Sequence, residues 1–428
     1  MHKILFVFFL NVELKSADSC GASLTFDGCS INECNTLRDG NPEEDPCCDT
    51  ATAIIRQSDL CPFYEITEPG TYRLAEPLEL ISPDADTSLI YISSSDVRLN
   101  LNGYTLYYLG SVSGTSGIRI CRGVQNVKIY NGSIRKFTYG VTADTTSSIV
   151  NCNSTDYLTG NFISNISLTD LTTNANSSGI YLKGDNSNEI YSISLLNIVA
   201  SNNTSNGVFF DNVKCSSIRG STFNMNTGTG KTVSGLKLKD CHDLTVGSCK
   251  ANCNKSDQDA YGIYVTGTTT SDSLGNTVTC CTTDMNETTA TSSYQSAGIY
   301  FETSKNCTIT SNRSSHNKSG YTSSSYGILM DSATIQCEVS CNELLENQIG
   351  IKDTDSTSIF KRNVGYKNIP DGSSPTVVAN YKNFDVTFAN QSGSGTSFDN
   401  IKKDVQLKDF SNIADVVSNT WLNISVTN

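Results

Sequence analysis

The chain has 428 residues, a formal net charge of −13 and 17 cysteines. Charged residues make up only 17%, against about 25% in typical domains, and the acidic balance excludes the basic surface that nucleic-acid binding requires. The hydrophobic content of 37% suffices for a packed core and excludes wholesale disorder.

The first residues have the pattern of a secretory leader. Met1-His2-Lys3 precedes an apolar run from Ile4 to Leu10, and Ser16-Ala17 is the best cleavage position, which predicts a signal peptide over residues 1–17. The alternative is an ordinary buried first strand. After residue 10, no apolar run approaches the ~18 residues of a membrane span. We therefore expect an extracellular or surface-displayed protein without a further membrane span.

Residues 18–61 form a cysteine-rich segment. It contains Cys20, Cys29, Cys34, Cys47, Cys48 and Cys61 in a polar, Gly/Pro-rich stretch. This segment has no histidine and no paired zinc-type spacing, so a small disulfide-linked module is favoured over a metal site. Its pairing cannot be deduced from sequence, and the odd total leaves at least one thiol free or paired between chains.

An internal repeat dominates the rest of the chain. A Gly-apolar-x-apolar motif recurs as Gly117-Ile118-Arg119-Ile120, Gly179-Ile180-Tyr181-Leu182, Gly207-Val208-Phe209-Phe210, Gly235-Leu236-Lys237-Leu238, Gly262-Ile263-Tyr264-Val265, Gly298-Ile299-Tyr300-Phe301 and Gly327-Ile328-Leu329-Met330, with degenerate copies at Gly140 and Gly350. From Gly179 the glycines are 28, 28, 27, 36, 29 and 23 residues apart. A motif that recurs every 23 to 36 residues predicts a stacked repeat architecture.

Two further columns of residues support the same repeat. One contains Asn102, Asn131, Asn197, Ser221, Cys249, Cys281, Asn312, Asn342 and Asn363, and the other contains Asn202, Asn226, Asn254, Asn286, Asn317, Asn347 and Asn368. Stacked asparagines can hydrogen-bond along the stack and tolerate left-handed turns. Each repeat is therefore predicted to be one coil of three short strands. About ten coils are expected between Leu89 and Asn368, stacked about 4.8 Å apart.

The first coils resemble a known superfamily. The segments from Asp96 to Leu106 and from Gln125 to Ile134 are similar to the opening coils of right-handed parallel β-helix proteins, and Tyr64 to Leu74 resembles their lead-in. Residues 62–370 are thus identified as a member of the pectin-lyase-like superfamily, with residues 371–428 as a C-terminal cap. The resemblance implies an all-β, right-handed parallel β-helix. It is weak for activity, because the superfamily includes lyases, hydrolases, epimerases, adhesins and viral tailspikes.

Strand alternation places two lines of side chains on the outer face of the Gly-apolar-x-apolar strands. They are Arg119, Tyr181, Phe209, Lys237, Tyr264, Tyr300 and Leu329, and Cys121, Lys183, Asp211, Lys239, Thr266, Glu302 and Asp331. In enzymes of the resembled fold, this sheet forms the floor of the polysaccharide cleft. The resemblance thus implies a glycan groove with ligand-binding residues Tyr181, Lys183, Phe209, Asp211, Lys237, Lys239, Tyr264 and Tyr300. The alternative is that aromatic side chains favour strands and pack on each other between coils.

Catalytic residues are less clearly marked. Glu302 and Asp331 are expected on neighbouring coils about 5 Å apart, a separation at which two carboxylates can hydrolyse glycosides. A lyase would instead need a basic side chain such as Lys237 or Lys239, near Asp240. The alternative is an ion-pair ladder on a solvated sheet. The signature motifs of related enzymes are absent from the sequence, and His242 is only a weak candidate metal ligand.

Two hypotheses about function therefore remain. One is a secreted or surface-displayed protein that binds glycans or acts as a rigid spacer, with no cofactor expected. The other is a polysaccharide-active lyase or glycoside hydrolase of an uncommon type. The register makes two further predictions. The stacked sequons at Asn254, Asn286, Asn312 and Asn317 should be unglycosylated, with Asn176, Asn203 and Asn390 as better acceptors. Cys249 and Cys281, and likewise Cys307 and Cys337, should form close thiol pairs.

Overall fold

The computed structural model describes residues 53–145, 162–185, 189–268, 273–290, 294–320, 325–353, 358–366, 378–389, 397–401 and 407–408. All of them belong to one compact unit, Cys48–Asn428. The predicted signal peptide and most of the cysteine-rich segment lie outside these residues. The described chain consists of strands and one short 3-10 helix, Gln57–Asp59. No helix in this part of the chain has the length and apolar character to cross a bilayer.

The recurring glycine motif builds one parallel sheet, which we call the glycine sheet. Within the described residues, it has eleven strands, which follow one another in chain order. They are Tyr64–Ile66, Ser88–Ile92, Ser116–Ile120, Tyr139–Asp144, Ser178–Lys183, Val208–Asp211, Val233–Lys239, Ala260–Thr266, Ser296–Glu302, Ser325–Met330 and Ile349–Asp353. Each pairs in parallel with the equivalent strand one repeat later, so every repeat is one coil.

The other sides of the coils form a second parallel sheet, which we call the large sheet. Its 21 strands are Ala53–Ile55, Gly70–Leu74, Leu78–Leu80, Val97–Asn100, Thr105–Tyr108, Gln125–Arg135, Ile163–Asn174, Ile190–Leu196, Val213–Lys214, Ser217–Arg219, Thr245–Gly247, Thr277–Thr279, Thr282–Asp284, Thr308–Thr310, Arg313–Ser315, Glu338–Ser340, Glu343–Leu345, Ile359–Tyr366, Val378–Ala389, Ser397–Ile401 and Leu407–Lys408. Two small sheets pair Thr227–Gly228, Lys255–Ser256, Glu287–Thr288 and Lys318–Ser319, and Ser273–Leu274 with Ser304–Lys305.

The hydrophobic core fills the space that the coils enclose. Ile180, Leu182 and Val208 of the glycine sheet face Leu195 and Ile218 of the large sheet in one continuous cluster of buried side chains. Long parallel sheets with stacked asparagines define a right-handed parallel β-helix, and the predicted fold is confirmed.

The glycine of each motif is required by the closeness of the next coil. A Cβ atom on Gly262 would lie 2.5 Å from the carbonyl oxygen of Gly298, and one on Gly207 would lie 2.5 Å from that of Gly235. Backbone atoms of a stacked coil cannot move aside without breaking the sheet. A side chain at these positions is therefore excluded, which explains why the glycine recurs in the coils from Gly117 to Gly327. The coil before them has Leu89 at the equivalent position.

A buried asparagine ladder holds the coils together at one corner. The backbone N–H of Asn254 donates to Oδ1 of Asn286 at 3.2 Å, and Nδ2 of Asn254 donates to the same oxygen at 2.9 Å. The pattern repeats along the ladder, whose members are Asn176, Asn203, Asn226, Asn254, Asn286, Asn317 and Asn347. Each is at most 1% exposed.

This ladder corrects one predicted position. Asn203, and not Asn202, occupies the stack: its N–H and Nδ2 both bond Asn226 Oδ1 at 3.0 Å. Asn202 is exposed with φ 57°. The prediction that Asn176 and Asn203 are accessible glycan acceptors is wrong, because both amides are buried in the ladder. Asn368 and Asn390 lie outside the described residues.

The other predicted column contains a one-residue shift. From Ser221 onward it is one stack, in which Cys281 N–H donates to Asn312 Oδ1 and Asn312 donates to Asn342. On the preceding coil, however, Ile198 and not Asn197 is the partner of Ser221. Asn197, like Asn102 and Asn131, instead adopts a left-handed turn conformation.

The predicted thiol pairs are confirmed. The side chains of Cys249 and Cys281 contact each other on adjacent coils, as do those of Cys307 and Cys337. All four are buried free thiols. They occupy positions that hold serine or asparagine on other coils, so they act as small side chains at the turns.

Parallel pairing extends beyond the predicted limits of the coils. Ala53–Ile55 pairs with Tyr72–Leu74, before residue 62. Val378–Ala389 pairs in parallel with Ile359–Tyr366, after residue 370. The role of residues 371–428 as a cap stays a prediction.

Candidate functional site

The outer face of the glycine sheet brings the predicted ligand-binding residues into two adjacent lines. The register pairs Tyr181 with Phe209, Phe209 with Lys237, Lys237 with Tyr264, and Tyr264 with Tyr300. It also pairs Lys183 with Asp211 and Asp211 with Lys239. The predicted alignment of these coils is therefore correct. The degenerate repeat at Gly140 adds Thr142 between Arg119 and Tyr181.

Only the middle of the first line is accessible. Tyr181, Phe209, Lys237 and Tyr264 are half-buried, whereas Arg119, Tyr300 and Leu329 are 5%, 6% and 4% exposed. A side chain must be accessible to contact a ligand, so Tyr300 is a poorer candidate than the sequence indicates. The open part of this line runs from Tyr181 to Tyr264.

The cover over Tyr300 comes from residues that immediately precede the glycines. Tyr261 lies 4.8 Å from the ring of Tyr264 and 5.1 Å from that of Tyr300, measured between centroids. Together with Ala297, Tyr326, Leu329 and Ile349, these rings form a second apolar cluster outside the core. A regular strand would put Tyr261 and Tyr264 on opposite faces. Alternation therefore breaks at Gly262, and sequence reasoning missed Tyr261 for that reason.

The rings of the first line also pack on each other. Tyr264 and Tyr300 stack with a centroid distance of 5.1 Å and an interplanar angle of 2°, and Tyr181 meets Phe209 edge-on at 5.3 Å. Packing between coils thus accounts for Tyr300, as the alternative interpretation held. It leaves parts of Phe209 and Tyr264 open on either side of Lys237.

Lys237 lies between two of these rings. Its Nζ is 4.9 Å from the centroid of Tyr264 and 5.5 Å from that of Phe209, and both contacts have cation–π geometry. Burial lowers the pKa of the Lys237 ammonium, against the opposing effect of the Glu302 charge. A larger fraction of this amine is therefore neutral near neutral pH than for an exposed lysine.

Glu302 forms a polar group with the residues of the preceding coil. Its Oε2 accepts hydrogen bonds from the hydroxyl of Tyr264 and, at 2.8 Å, from Thr266 Oγ1. Burial raises the pKa of the Tyr264 phenol, and the hydrogen bond to Glu302 adds to the rise. Lys237, Tyr264 and Glu302 thus bring an amine, a phenol and a carboxylate together at the accessible end of the ring line.

The second line is mainly an ion-pair ladder. Lys239 Nζ lies 3.1 Å from Asp211 Oδ2 and 3.7 Å from Asp240 Oδ2. Asp211 is 9% exposed, and the half-buried Lys183 lies beside it in the register. These charges largely satisfy each other, so they are less available to a ligand than Lys237.

The proposed carboxylate pair lies on neighbouring coils, as the pairing of Phe301 with Met330 requires. Asp331, however, already accepts hydrogen bonds from its own turn and from the preceding coil. Its Oδ1 accepts hydrogen bonds from Thr303 N–H at 3.1 Å, Ala333 N–H at 3.2 Å and Thr334 Oγ1 at 2.8 Å. Glu302 is accordingly the better candidate of the two for chemistry.

The described residues do not support a metal site that includes a histidine. No group of three or more His, Cys, Asp and Glu side chains placed to hold a metal occurs among them. Burial lowers the pKa of His242, with Lys214 adding to the effect. The weak prediction of a metal site at His242 is therefore not supported.

Comparison with known proteins finds similarity to solved structures only. No protein-family model matches the chain, and no curated protein matches it either. Among solved structures, the Dettilon tailspike protein is 11% identical with a TM-score of 0.50, and the match covers 74% of this chain and 60% of that one. At this identity the likeness shows the fold alone.

Two further structures are similar at lower scores. The enzymatically active domain of bacteriophage CBA120 tailspike protein 2 is 10% identical with a TM-score of 0.44, covering 67% of this chain and 42% of that one. The A-module of the Azotobacter vinelandii mannuronan C-5 epimerase AlgE4 is 11% identical with a TM-score of 0.42, covering 79% and 88%. The chain thus spans about half the length of the two tailspike chains. The chain has the fold of a right-handed parallel β-helix protein.

Proposed function

We propose that this protein binds a polysaccharide along the outer face of the glycine sheet, at an extracellular or surface location. The observation that carries the proposal is the accessible segment Phe209–Lys237–Tyr264, in which one cation lies between two partly open rings. Ring faces stack on sugar rings, and an ammonium binds hydroxyl or carboxylate groups. The named structures include polysaccharide-active proteins of the same fold, which supports the class of ligand but does not identify it.

The spacing of the coils sets the size of the ligand. Tyr181, Phe209, Lys237 and Tyr264 lie on four successive coils, so the line spans three steps of about 4.8 Å, or about 14 Å. That length accommodates a few sugar units of an extended chain. Because Lys237 is the member of this line whose charge is not paired at short range within the described residues, we expect acidic glycans to bind better than neutral ones.

A glycan array followed by titration of the best hit tests the proposal. Phe209→Ala with Tyr264→Ala removes both partly open rings. At about 0.5–1.5 kcal/mol per ring, affinity should fall about tenfold or more. Lys237→Met should weaken binding of acidic glycans more than that of neutral ones.

The chain offers a matched control on the large sheet. Lys128 Nζ lies 5.0 Å from the centroid of Tyr130, in the same cation–aromatic arrangement. Tyr130→Ala should leave glycan affinity unchanged. Full affinity in the Phe209/Tyr264 double variant would refute the groove and favour the rigid-spacer function.

One observation favours an enzymatic role as a second candidate. A lysine with a lowered pKa beside a hydrogen-bonded phenol and carboxylate is a typical arrangement for proton transfer. Neutral Lys237 would act as the base that removes a proton next to a sugar carboxylate, as in a lyase. Assays for unsaturated uronates and for new reducing ends on the array hits test this role. Lys237→Met should abolish product formation if it is correct.

A further inference from the structure

A row of sulfur side chains runs along one corner of the β-helix, beside the asparagine ladder. Met225, Cys253 and Met285 each precede a member of the asparagine ladder, namely Asn226, Asn254 and Asn286. The ladder bonds from Asn226 to Asn254 and from Asn254 to Asn286 fix their register. The three sulfur residues therefore occupy the same position on three successive coils.

The conformation of this corner turns these side chains away from the core. All three residues have left-handed backbones, with φ values of 55°, 56° and 53°. Met225 and Met285 are 49% and 53% exposed, and Cys253 is a half-buried free thiol. Within the described residues its sulfur takes part in no hydrogen bond. These sulfurs thus contribute little to the core.

The composition of the corner is unusual for its conformation. Bulky side chains seldom adopt a left-handed backbone, and the other coils place Ala175, Asn202, His316 and Glu346 here. The chain has only four methionines, and two of them flank the one cysteine of this corner. A strained, exposed position is one where a residue is retained for binding more readily than for folding.

The spacing suits a metal ion. Stacked coils are about 4.8 Å apart, and a metal–thiolate bond is about 2.3 Å, so an ion bound to Cys253 lies within reach of the flexible methionine side chains on the coils to either side. Thiolate and thioether ligands select soft ions, of which Cu(I) is the biological example.

We propose that Met225, Cys253 and Met285 form a binding site for a soft monovalent metal ion of the Cu(I) class. The Cys253 thiol releases its proton to solvent as the sulfur–metal bond forms, and the two thioethers complete the ligand set. His316 follows Met285 on the next coil, but its Nε2 lies 3.0 Å from Glu346 Oε2. We therefore assign the site to the three sulfurs.

A competition titration tests the site. The full chain, kept reduced and anaerobic, is titrated with Cu(I) against a chromogenic Cu(I) chelator. Met225→Leu with Met285→Leu keeps the apolar bulk and removes both thioethers, and Cys253→Ser removes the thiolate. Loss of a group that only supports a metal ligand lowers metal affinity about 10–100-fold. Loss of the ligands themselves should therefore lower the affinity for one bound Cu(I) ion by more than about tenfold.

The neighbouring corner supplies the matched control. Cys280 and Cys341 are exposed free thiols with φ values of 53° and 56°. The double variant Cys280→Ser/Cys341→Ser should still bind one Cu(I) ion with unchanged affinity. X-ray absorption at the copper edge should show sulfur ligands that decrease in number in the leucine variant. Unchanged affinity in that variant, or loss of the bound Cu(I) ion in the Cys280/Cys341 control, would overturn the assignment.

Discussion

Replacing Asn203 by alanine probes the interaction that joins the coils. The substitution removes three hydrogen bonds: Asn176 N–H to Asn203 Oδ1 at 3.0 Å, and Asn203 Nδ2 to Thr173 O at 3.1 Å and to Asn226 Oδ1 at 3.0 Å. Asn203 is 0% exposed, so water does not readily replace these bonds. Each is worth about 0.5–1.5 kcal/mol, and a buried orphan N–H on Asn176 adds to the cost. We expect a loss of about 2–4 kcal/mol.

The adjacent residue is the matched control. Asn202 is exposed with φ 57°, a conformation that glycine adopts freely, so Asn202→Gly should change stability by well under 1 kcal/mol. Urea denaturation followed by far-UV circular dichroism measures both variants. Stacked repeats can unfold in stages, so transition midpoints and slopes should both be compared. Equal effects of the two variants, or a larger effect of Asn202→Gly, would refute the assignment of Asn203 to the ladder.

Three further predictions follow from the same structure. Gly262→Ala should prevent correct folding, because the new Cβ atom would lie 2.5 Å from the Gly298 carbonyl oxygen. Gly247→Ala should fold normally, because the nearest atom to its Cβ would be 3.7 Å away. Equal soluble yields of the two variants would contradict the claim that the next coil excludes a side chain at Gly262. Burial raises the pKa of the Tyr181, Tyr264 and Tyr300 phenols, so the stability that they contribute is fully present below the unfolded pKa of about 10 and is lost as the pH rises above it. Ultraviolet titration should show fewer tyrosines ionising in the native than in the denatured protein. Coincident titration curves would contradict the burial of these phenols. In a glycosylating host, glycopeptide mapping should find the sequons at the exposed Asn202 and Asn306 occupied and those at the buried Asn203, Asn254 and Asn286 empty.

The sequence predicts the coils well because the interior imposes a strict pattern. Ile180, Leu182 and their equivalents must face the core, and the glycine before them must lack a side chain. Both requirements recur in the coils from Gly117 onward, so the register of this part of the glycine sheet can be read from the chain. The ladder is harder to place where two asparagines are adjacent, since Asn202 and Asn203 both fit the pattern and only packing separates them.

The outer site is less predictable because neighbours from other parts of the coil determine its accessibility. Tyr300 belongs to the outer line by alternation, yet Tyr261 covers it from a position where alternation breaks. Asp331 matches a catalytic carboxylate by spacing, but its Oδ1 already accepts three hydrogen bonds, one from the preceding coil and two from its own turn. Neither effect leaves a periodic signal in the sequence.

The ladder and the core together explain why Lys237 is the most informative residue of the outer face. Coil stacking is already provided by backbone pairing and by buried amides, so no part of the fold requires a cation at this position. The equivalent residue two coils later is Tyr300 and the next is Leu329, which shows that the sheet accommodates apolar side chains there. Burial lowers the pKa of Lys237, and partial desolvation of an ammonium costs stability. A cation that costs stability and lies between two partly open rings is best explained by a ligand that it binds.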